Sequence, residues 1–216
     1  MPRTPEYDRE QVLEAAMKVF WRDGYEAASM QNLIDTMGIN RGSLYQAFDS
    51  KAGLFGEVLG HYVNHFQPRI TRLIRNVESE ANALPESGAK PETDIHSVLY
   101  AMFLVEHDEY DSWGCLLFNT VSELKNTRPE LAERAEKYLL ELKSMFESYI
   151  KNSQREERMR KDQKASVMAD YLITLCGGLR LAEKMNSGKS ELKSMIDMGL
   201  ESLLSRPLPP TQEFPR

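Results

Sequence analysis

Apolar residues recur at intervals of three and four along almost the whole chain, whereas strict alternation of apolar and polar residues is nearly absent. The first spacing lines one face of an α-helix, and the second would indicate β-strands. The pattern therefore predicts an all-α protein of about nine helices.

The first helix has signals at both ends. Asp8, followed three residues later by Gln11, forms a capping box that predicts a helix over about residues 9–22. Gly24 comes next, and glycine tolerates the left-handed backbone conformation that ends many helices.

Two shorter helices follow. Ser29 can cap a helix over residues 30–37 that Gly38 ends, and Asn40 can cap a third helix of about seven residues. Two short helices joined by a glycine-containing turn are typical of a helix-turn-helix.

Ser50 can cap a long fourth helix, whose apolar stripe outlasts what a small N-terminal bundle could cover and so indicates a second core. Proline and glycine within residues 80–93 indicate a loop. Further helices are predicted over about residues 94–107, 112–126, 129–158, 162–186 and 190–204. The tail over residues 207–216 contains four prolines, and we expect it to be disordered.

The 216 residues are 41% hydrophobic and 28% charged, as in soluble globular domains. No apolar run approaches the roughly 20 residues of a membrane span, and no secretion signal is recognisable. We therefore expect a cytoplasmic protein with no membrane partner. The two cysteines predict no disulfide framework, and His61 with His65 has metal-binding spacing but no third ligand, so neither a metal nor another cofactor is expected.

The segment from Gly38 to Lys51 reads GINRGSLYQAFDSK and resembles the recognition-helix signature of the TetR/AcrR family of bacterial transcriptional regulators. The preceding VLEAAMKVFWRDGYEAASMQNLIDTMG is similar to the family's first two helices, so the likeness covers about residues 8–60. Two later segments, WGCLLFNTVSEL and LITLCGGLRL, resemble one subgroup. The resemblance implies a homodimer that binds a double-stranded DNA operator, usually as a repressor, and releases it when a small-molecule effector binds.

On this interpretation residues 1–56 are the DNA-binding domain and residues 57–206 the effector-binding and dimerisation domain. Arg41 and Gln46 suit guanine and adenine edges, and Gly42 and Ser43 allow close approach. The hydroxyl groups of Ser29 and Tyr45 and the point charge of Lys51 suit phosphates. The predicted DNA contacts are Ser29, Asn40, Arg41, Gly42, Ser43, Tyr45, Gln46 and Lys51.

Four of these residues also have a structural interpretation. Ser29 and Asn40 could serve only as helix caps, Tyr45 could pack, and Lys51 could be an ordinary solvated lysine. Charge limits the DNA-binding interpretation, because residues 1–56 contain six basic and eight acidic residues and the whole chain has a net charge of −6. Any DNA binding must therefore be local and should depend strongly on dimerisation.

The later helices are rich in aromatic residues and methionine, which suit a pocket for an apolar ligand but equally a helical core. The candidate pocket residues are Phe66, Tyr100, Phe103, Trp113, Cys115, Asn119, Met145, Tyr149 and Met168. Cys115, expected in the first turn of a helix that begins near Ser112, could also sense electrophiles, although packing is the simpler interpretation.

The last two helices predict the dimer interface. They are apolar on more than one face, which suits a four-helix bundle between two subunits, and an intramolecular hairpin is the alternative. The predicted dimer face is Leu175, Leu179, Ile196 and Leu200.

Two other classes of protein compete with a regulator. An enzyme would need an acid–base pair or an activated nucleophile, and we find no Ser/His/Asp set, phosphate loop or dinucleotide fingerprint, so no catalytic residue is predicted. A helical protein-interaction module that has lost DNA binding is the remaining alternative.

Overall fold

The computed structural model describes residues 7–82, 95–104 and 111–204. Within these ranges the regular elements are helical, which confirms the all-α prediction. They are α1 (Arg9–Asp23), α2 (Met30–Met37), α3 (Arg41–Phe48), α4 (Lys51–Asn82), α5 (Ile95–Phe103), a 3₁₀ turn (Asp111–Trp113), α6 (Leu116–Leu124), α7 (Pro129–Arg155), α8 (Ala165–Lys184) and α9 (Lys189–Glu201). The predicted loop beyond Asn82 and the predicted tail lie outside the described residues.

Local capping signals account for the ends of the first helices. The Asp8 carboxylate accepts hydrogen bonds from the backbone N–H groups of Glu10 and Gln11, at 2.9 and 3.4 Å. Gly24 ends α1 with φ 84° and donates its N–H to the carbonyl of Phe20. The predicted cap at Asp8 and the predicted end at Gly24 are thus confirmed, because side chain and backbone partners lie within a few residues of one another.

The predicted start of α6 is wrong. We expected a helix from about residue 112, but the 3₁₀ turn is followed by Gly114 with φ 74°, and α6 begins only at Leu116. A left-handed residue cannot continue a right-handed helix. Cys115 is consequently the residue that precedes α6, with an extended backbone, and does not lie in the first turn.

The chain forms two compact units. The first contains residues 1–69 and 108–140, and the second contains residues 70–107 and 141–216. These units do not follow the predicted boundary at residue 56, because α6, the start of α7 and the first part of α4 pack in the same unit as the helix-turn-helix. The assignment of 1–56 and 57–206 as functional domains remains a prediction.

The core of the first unit surrounds Trp21. Its ring contacts Tyr62, Phe66 and Trp113 edge-on, with centroid distances of 5.1, 5.6 and 5.8 Å. Its indole Nε1 donates a hydrogen bond to the carbonyl of Gly114 at 3.1 Å, which ties α1 to the segment before α6. This cluster gives α1 a fixed partner beyond the helix-turn-helix itself.

The second unit has its own core, and the residues predicted as the dimer face belong to it. Leu179, Ile196 and Leu200 are 0–1% exposed, and Leu175 packs against the same core. A Cβ on Gly199 would lie 2.7 Å from Leu175 Cδ2, so glycine there lets α8 and α9 approach closely. Leu179, Ile196 and Leu200 are therefore covered within one protomer and belong to its core, whereas Leu175 is partly buried. A part of these residues in a dimer face stays a prediction.

Helix α8 is long and apolar enough, by length and composition alone, to cross a membrane. Its inward residues Ala169, Leu172 and Cys176 are buried in the core of the second unit, as in the core helix of a globular domain.

The junction between α3 and α4 is crowded around one carbonyl group. The carbonyl of Phe48 accepts the N–H of Ser50 at 2.7 Å, and Asp49 between them has φ 65° and ψ −43°, which makes a tight γ-turn with positive φ. Ser50 then caps α4 by accepting the N–H of Gly53 at 3.0 Å. A Cβ on Gly53 would lie 2.0 Å from the Phe48 oxygen, so only glycine fits there without a shift of the backbone.

We predict that Gly53→Ala lowers the free energy of unfolding by about 1–3 kcal/mol, the usual cost of forcing an extra carbon into a packed site. Gly60→Ala in the same helix is the matched control, because its Cβ would come no nearer than 3.4 Å to a neighbour, the Tyr138 hydroxyl. Gly60→Ala should raise the free energy of unfolding by about 0.4–1 kcal/mol, because alanine reduces the conformational freedom of the unfolded chain. Urea unfolding at one protein concentration measures both, and equal stability of the two variants would contradict the steric argument.

Candidate nucleic-acid interface

Three buried side chains fix the orientation of the helix-turn-helix. Leu33 of α2 and Leu44 and Phe48 of α3 are 0–4% exposed in the core of the first unit. Gly38, in the turn between the two helices, has φ 65°, and a Cβ there would meet no atom within 4 Å. The turn therefore needs glycine for its backbone conformation and not for space.

The opposite side of α3 is open to solvent. Arg41, Gly42 and Gln46 are exposed and Tyr45 is 46% exposed, whereas Ser43 is half-buried. Donors and small side chains at the N-terminal end of an exposed helix suit base edges in a major groove. The structure thus brings four of the predicted DNA contacts onto one accessible surface.

Ser29 and Asn40 act as helix caps. Ser29 Oγ accepts the backbone N–H of Asn32 at 3.1 Å, and Asn40 Oδ1 accepts that of Ser43 at 2.8 Å. Both residues are nevertheless exposed. Their capping role is established by this geometry, and their contact with DNA stays a prediction.

Lys51 is not an ordinary solvated lysine. Its Nζ lies 3.4 Å from the carbonyl oxygen of Glu26 and 4.6 Å from the ring centroid of Tyr25. Burial lowers the pKa of Lys51 from its usual range, and the nearby carboxylates of Glu26 and Glu123 oppose this effect. The ammonium group is thus held at the first residue of α4, beside the turn between α1 and α2.

That turn is itself held by α6, through residues that sequence reasoning missed. Glu123 Oε2 accepts the backbone N–H of Tyr25 at 3.0 Å, and Glu123 Oε1 accepts that of Glu26 at 2.8 Å. Arg128, beyond the end of α6, lies 4.0 Å from the Glu26 carboxylate and 5.9 Å from the Tyr25 ring centroid. Nearly a hundred residues separate these partners, so no local spacing pattern indicates the contact.

The charge of this surface is low. Between Ser29 and Ser50 the chain contains one cation, Arg41, against Asp35 and Asp49. Lys51 adds a second positive charge immediately afterwards. Hydroxyl and backbone donors are therefore at least as numerous as cations among the groups of this segment that suit phosphates.

The pocket candidates in the first unit belong to its aromatic cluster. Phe66 and Trp113 pack against Trp21, and Asn119 Nδ2 donates to the carbonyl of Trp113 at 2.8 Å. Cys115 is half-buried, and its Sγ lies 3.6 Å from the hydroxyl of Tyr62. These contacts support packing roles, and a role in ligand binding stays a prediction.

The pocket candidates in the second unit line its core. Phe103, Tyr149 and Met168 are 0–3% exposed, and the hydroxyl of Tyr149 accepts a hydrogen bond from Arg158 at 3.3 Å. Tyr100 and Met145 are only partly buried against the same core, and Tyr100 donates a hydrogen bond to Asp197.

One histidine of the pair on α4, His61, contacts a residue of α1. His61 Nε2 lies 3.1 Å from Glu14 Oε2 of α1. Among the residues that the structure describes, no group of three His, Cys, Asp or Glu side chains could hold a metal ion.

Comparison with known proteins gives two family matches. The model described as bacterial regulatory proteins, tetR family, matches residues 12–58, and the model described as tetracyclin repressor-like, C-terminal domain, matches residues 95–198. Together they include the helix-turn-helix and most of the later helices.

Relatives are similar over very different lengths. The transcriptional repressor DhaR of Mycobacterium sp. (strain GP1) is 25% identical over 208 residues, which cover 94% of this chain and 95% of DhaR. The repressor ComR of Escherichia coli K12 is 43% identical, but over 60 residues that cover only 28% of this chain and 29% of ComR.

A solved structure agrees with the fold. A cysteine mutant of the TetR family regulator CifR, complexed with 26-bp double-strand operator DNA, is similar with a TM-score of 0.73 and 25% identity, covering 93% of this chain and 99% of that one. Both family matches, the full-length relatives and this structure agree with the exposed recognition helix described above. The chain therefore belongs to the TetR family of DNA-binding transcriptional regulators.

Proposed function

We propose that the protein represses transcription as a two-fold dimer, which binds an operator through α3 and releases it when a small molecule binds the C-terminal region. The observation that carries the proposal is the exposed surface of α3, with Arg41, Gly42, Tyr45 and Gln46 opposite the buried Leu44 and Phe48. On this proposal the protein acts by binding and not by catalysis.

Within this surface the contacts divide by chemistry. Arg41 can donate two hydrogen bonds to one guanine, and Gln46 can pair with adenine. Tyr45 and Ser29 would donate hydroxyl hydrogen bonds to phosphates, and Lys51 would contribute a point charge. Asn40, whose Oδ1 is occupied by the cap, would act mainly by holding the N-terminus of α3 in place.

The dimer needs a face that the protomer leaves uncovered. Exposed residues of α8 and its C-cap residue Met185 lie at intervals of three and four and form one stripe. We call it the α8 stripe: Val167, Tyr171, Thr174, Gly178, Leu181 and Met185. On α9, Met195 and Met198 are 41% and 75% exposed. An uncovered apolar stripe with a glycine in it suits close packing against a second copy of α8 and α9.

Release by an effector follows from linkage. The match of the C-terminal family model supports a ligand site in residues 95–198. Of the pocket candidates in the second unit, Tyr100 and Met145 are partly buried and so more open to a ligand than Phe103, Tyr149 and Met168. Two recognition helices in successive major grooves must lie about 34 Å apart. A ligand lowers the operator affinity only to the extent that it binds more tightly to dimers whose recognition helices have a different separation.

Binding-site selection from random duplexes tests the DNA-binding proposal. Wild-type protein should enrich a two-fold symmetric sequence, and no enrichment would instead favour an interaction module that has lost DNA binding. Arg41→Ala should then weaken the binding free energy for the selected duplex by about 1–3 kcal/mol. It should also relax the base preference at one base pair per half-site. Equal losses on selected and scrambled duplexes would contradict a base-reading role for Arg41.

Lys51→Ala should behave differently from Arg41→Ala. It should weaken binding to all sequences similarly and lower the salt dependence by about one phosphate per subunit, because a phosphate contact carries no sequence information. Fluorescence anisotropy titrations at several salt concentrations measure both quantities. A change in the selected base sequence would count against a phosphate contact.

The α8 stripe predicts the outcome of charge substitution. Leu181→Glu or Met198→Glu should convert the dimer into a folded monomer, since a carboxylate would be buried without a partner. Leu140→Glu is the matched control, because Leu140 is 60% exposed on α7 and outside the stripe. Sedimentation velocity reports the mass relative to the 24.8 kDa chain, and circular dichroism reports the fold. Intact dimers for both Leu181→Glu, in the α8 stripe, and Met198→Glu, on α9, would place the interface elsewhere.

A further inference from the structure

Glu123 of α6 makes an unusual contact for an exposed carboxylate. Its two oxygens accept the backbone N–H groups of two consecutive residues, Tyr25 at 3.0 Å and Glu26 at 2.8 Å. Hydrogen bonds to an ionised acceptor are roughly twice as strong as neutral ones. The contact therefore fixes the backbone of the turn between α1 and α2 and not merely a side chain.

The turn is shaped to receive this carboxylate. Gly24 has φ 84°, and a Cβ there would lie 2.9 Å from Glu123 Oε2. Glycine thus provides both the backbone conformation and the room beside the carboxylate. Arg128 approaches the same turn from the α6–α7 side, 4.0 Å from the Glu26 carboxylate.

The other side of the turn holds Lys51. The Glu26 carbonyl and the Tyr25 ring face its ammonium group, at 3.4 and 4.6 Å. An ammonium group has three N–H donors, so one bond to the Glu26 carbonyl leaves two for a phosphate. The two residues whose N–H groups bind Glu123 are thus the same two that locate the cation at the start of α4.

We propose that Glu123 is a positioning residue for DNA binding: its carboxylate fixes the turn at residues 24–26, and this turn sets the place of the Lys51 ammonium group for a phosphate. The inference rests on the proposed operator binding. It assigns to α6 a part in the affinity for DNA, exerted through the place of Lys51. A displacement of α6 would act on Lys51 by the same contacts.

The substitution Glu123→Gln tests the inference with little change in shape. An amide has an NH₂ donor in place of one carboxylate oxygen and no negative charge. The N–H groups of Tyr25 and Glu26 thus lose one of their two acceptor atoms and the strength that the charge gives to both hydrogen bonds. The matched control is Glu133→Gln, at an exposed position of α7 in the same compact unit. Both variants lose one negative charge per subunit, and this loss by itself raises the affinity for DNA.

The probe is the duplex that wild-type protein enriches from a random pool. Glu123→Gln should lower the affinity for this duplex about 3- to 10-fold, although the change in charge alone would raise it. It should also lower the salt dependence by about one phosphate per subunit. Glu133→Gln should bind as tightly as wild type or slightly tighter. Circular dichroism establishes that all the variants are folded at the assay temperature.

A double-mutant cycle separates positioning from general stability. Lys51→Ala should cost much less in the Glu123→Gln background than in wild type, because the cation is already misplaced there. Arg41→Ala should cost the same in both backgrounds, since the hydrogen bonds of Glu123 are made to the turn between α1 and α2 and not to α3. A merely structural role of Glu123 would reduce both costs alike or neither.

The outcomes distinguish this inference from the proposed function. If wild-type protein enriches no duplex, the proposed function fails and this inference falls with it. If wild type enriches a duplex but Glu123→Gln binds it as tightly as Glu133→Gln, or if the effects of Glu123→Gln and Lys51→Ala multiply, the positioning role alone is overturned.

Discussion

Burial of Leu44 and Phe48 is the constraint on which the DNA-binding surface depends. The two side chains are four residues apart in an eight-residue helix, so burying both fixes the rotation of α3 about its axis. The remaining circumference is what the helix can present to a partner. A short helix has little propensity to form alone, and α3 therefore owes its existence as well as its orientation to this core.

Much of the fold follows from local signals. The caps at Asp8, Ser29, Asn40 and Ser50 are read correctly from the sequence because each donor lies two or three residues from its acceptor. The start of α6 is missed because helical periodicity continues through Gly114, and periodicity does not report a single positive φ. Recognition of the family rests on α3 and its flanking residues, which is also the part with the most restrictive local geometry.

The contacts that local signals miss are the long-range ones. Helix α8 is apolar on two sides, and periodicity alone cannot decide which side faces its own core. The sequence therefore selects Leu179 and its neighbours for a dimer face, whereas the structure places Leu179 in the core of the second unit. The Glu123 contact joins exposed, charged residues far apart in sequence, which a pattern of hydrophobic positions does not register. Sequence thus predicts the surface of α3 well and the attachment of the module to α6 not at all.

The shortage of positive charge around α3 has a consequence for how such a protein finds a target. Affinity for arbitrary DNA comes almost entirely from phosphate neutralisation, and the segment from Ser29 to Lys51 contains only two cations, Arg41 and Lys51, against two carboxylates. A chromosome offers about 10⁶ or more competing sites, and each of them retains a strongly cationic protein. A sparingly charged surface spends less time on these sites, so more of the protein stays free to search. On the proposed function, discrimination then rests on the few donors of α3 that would read bases.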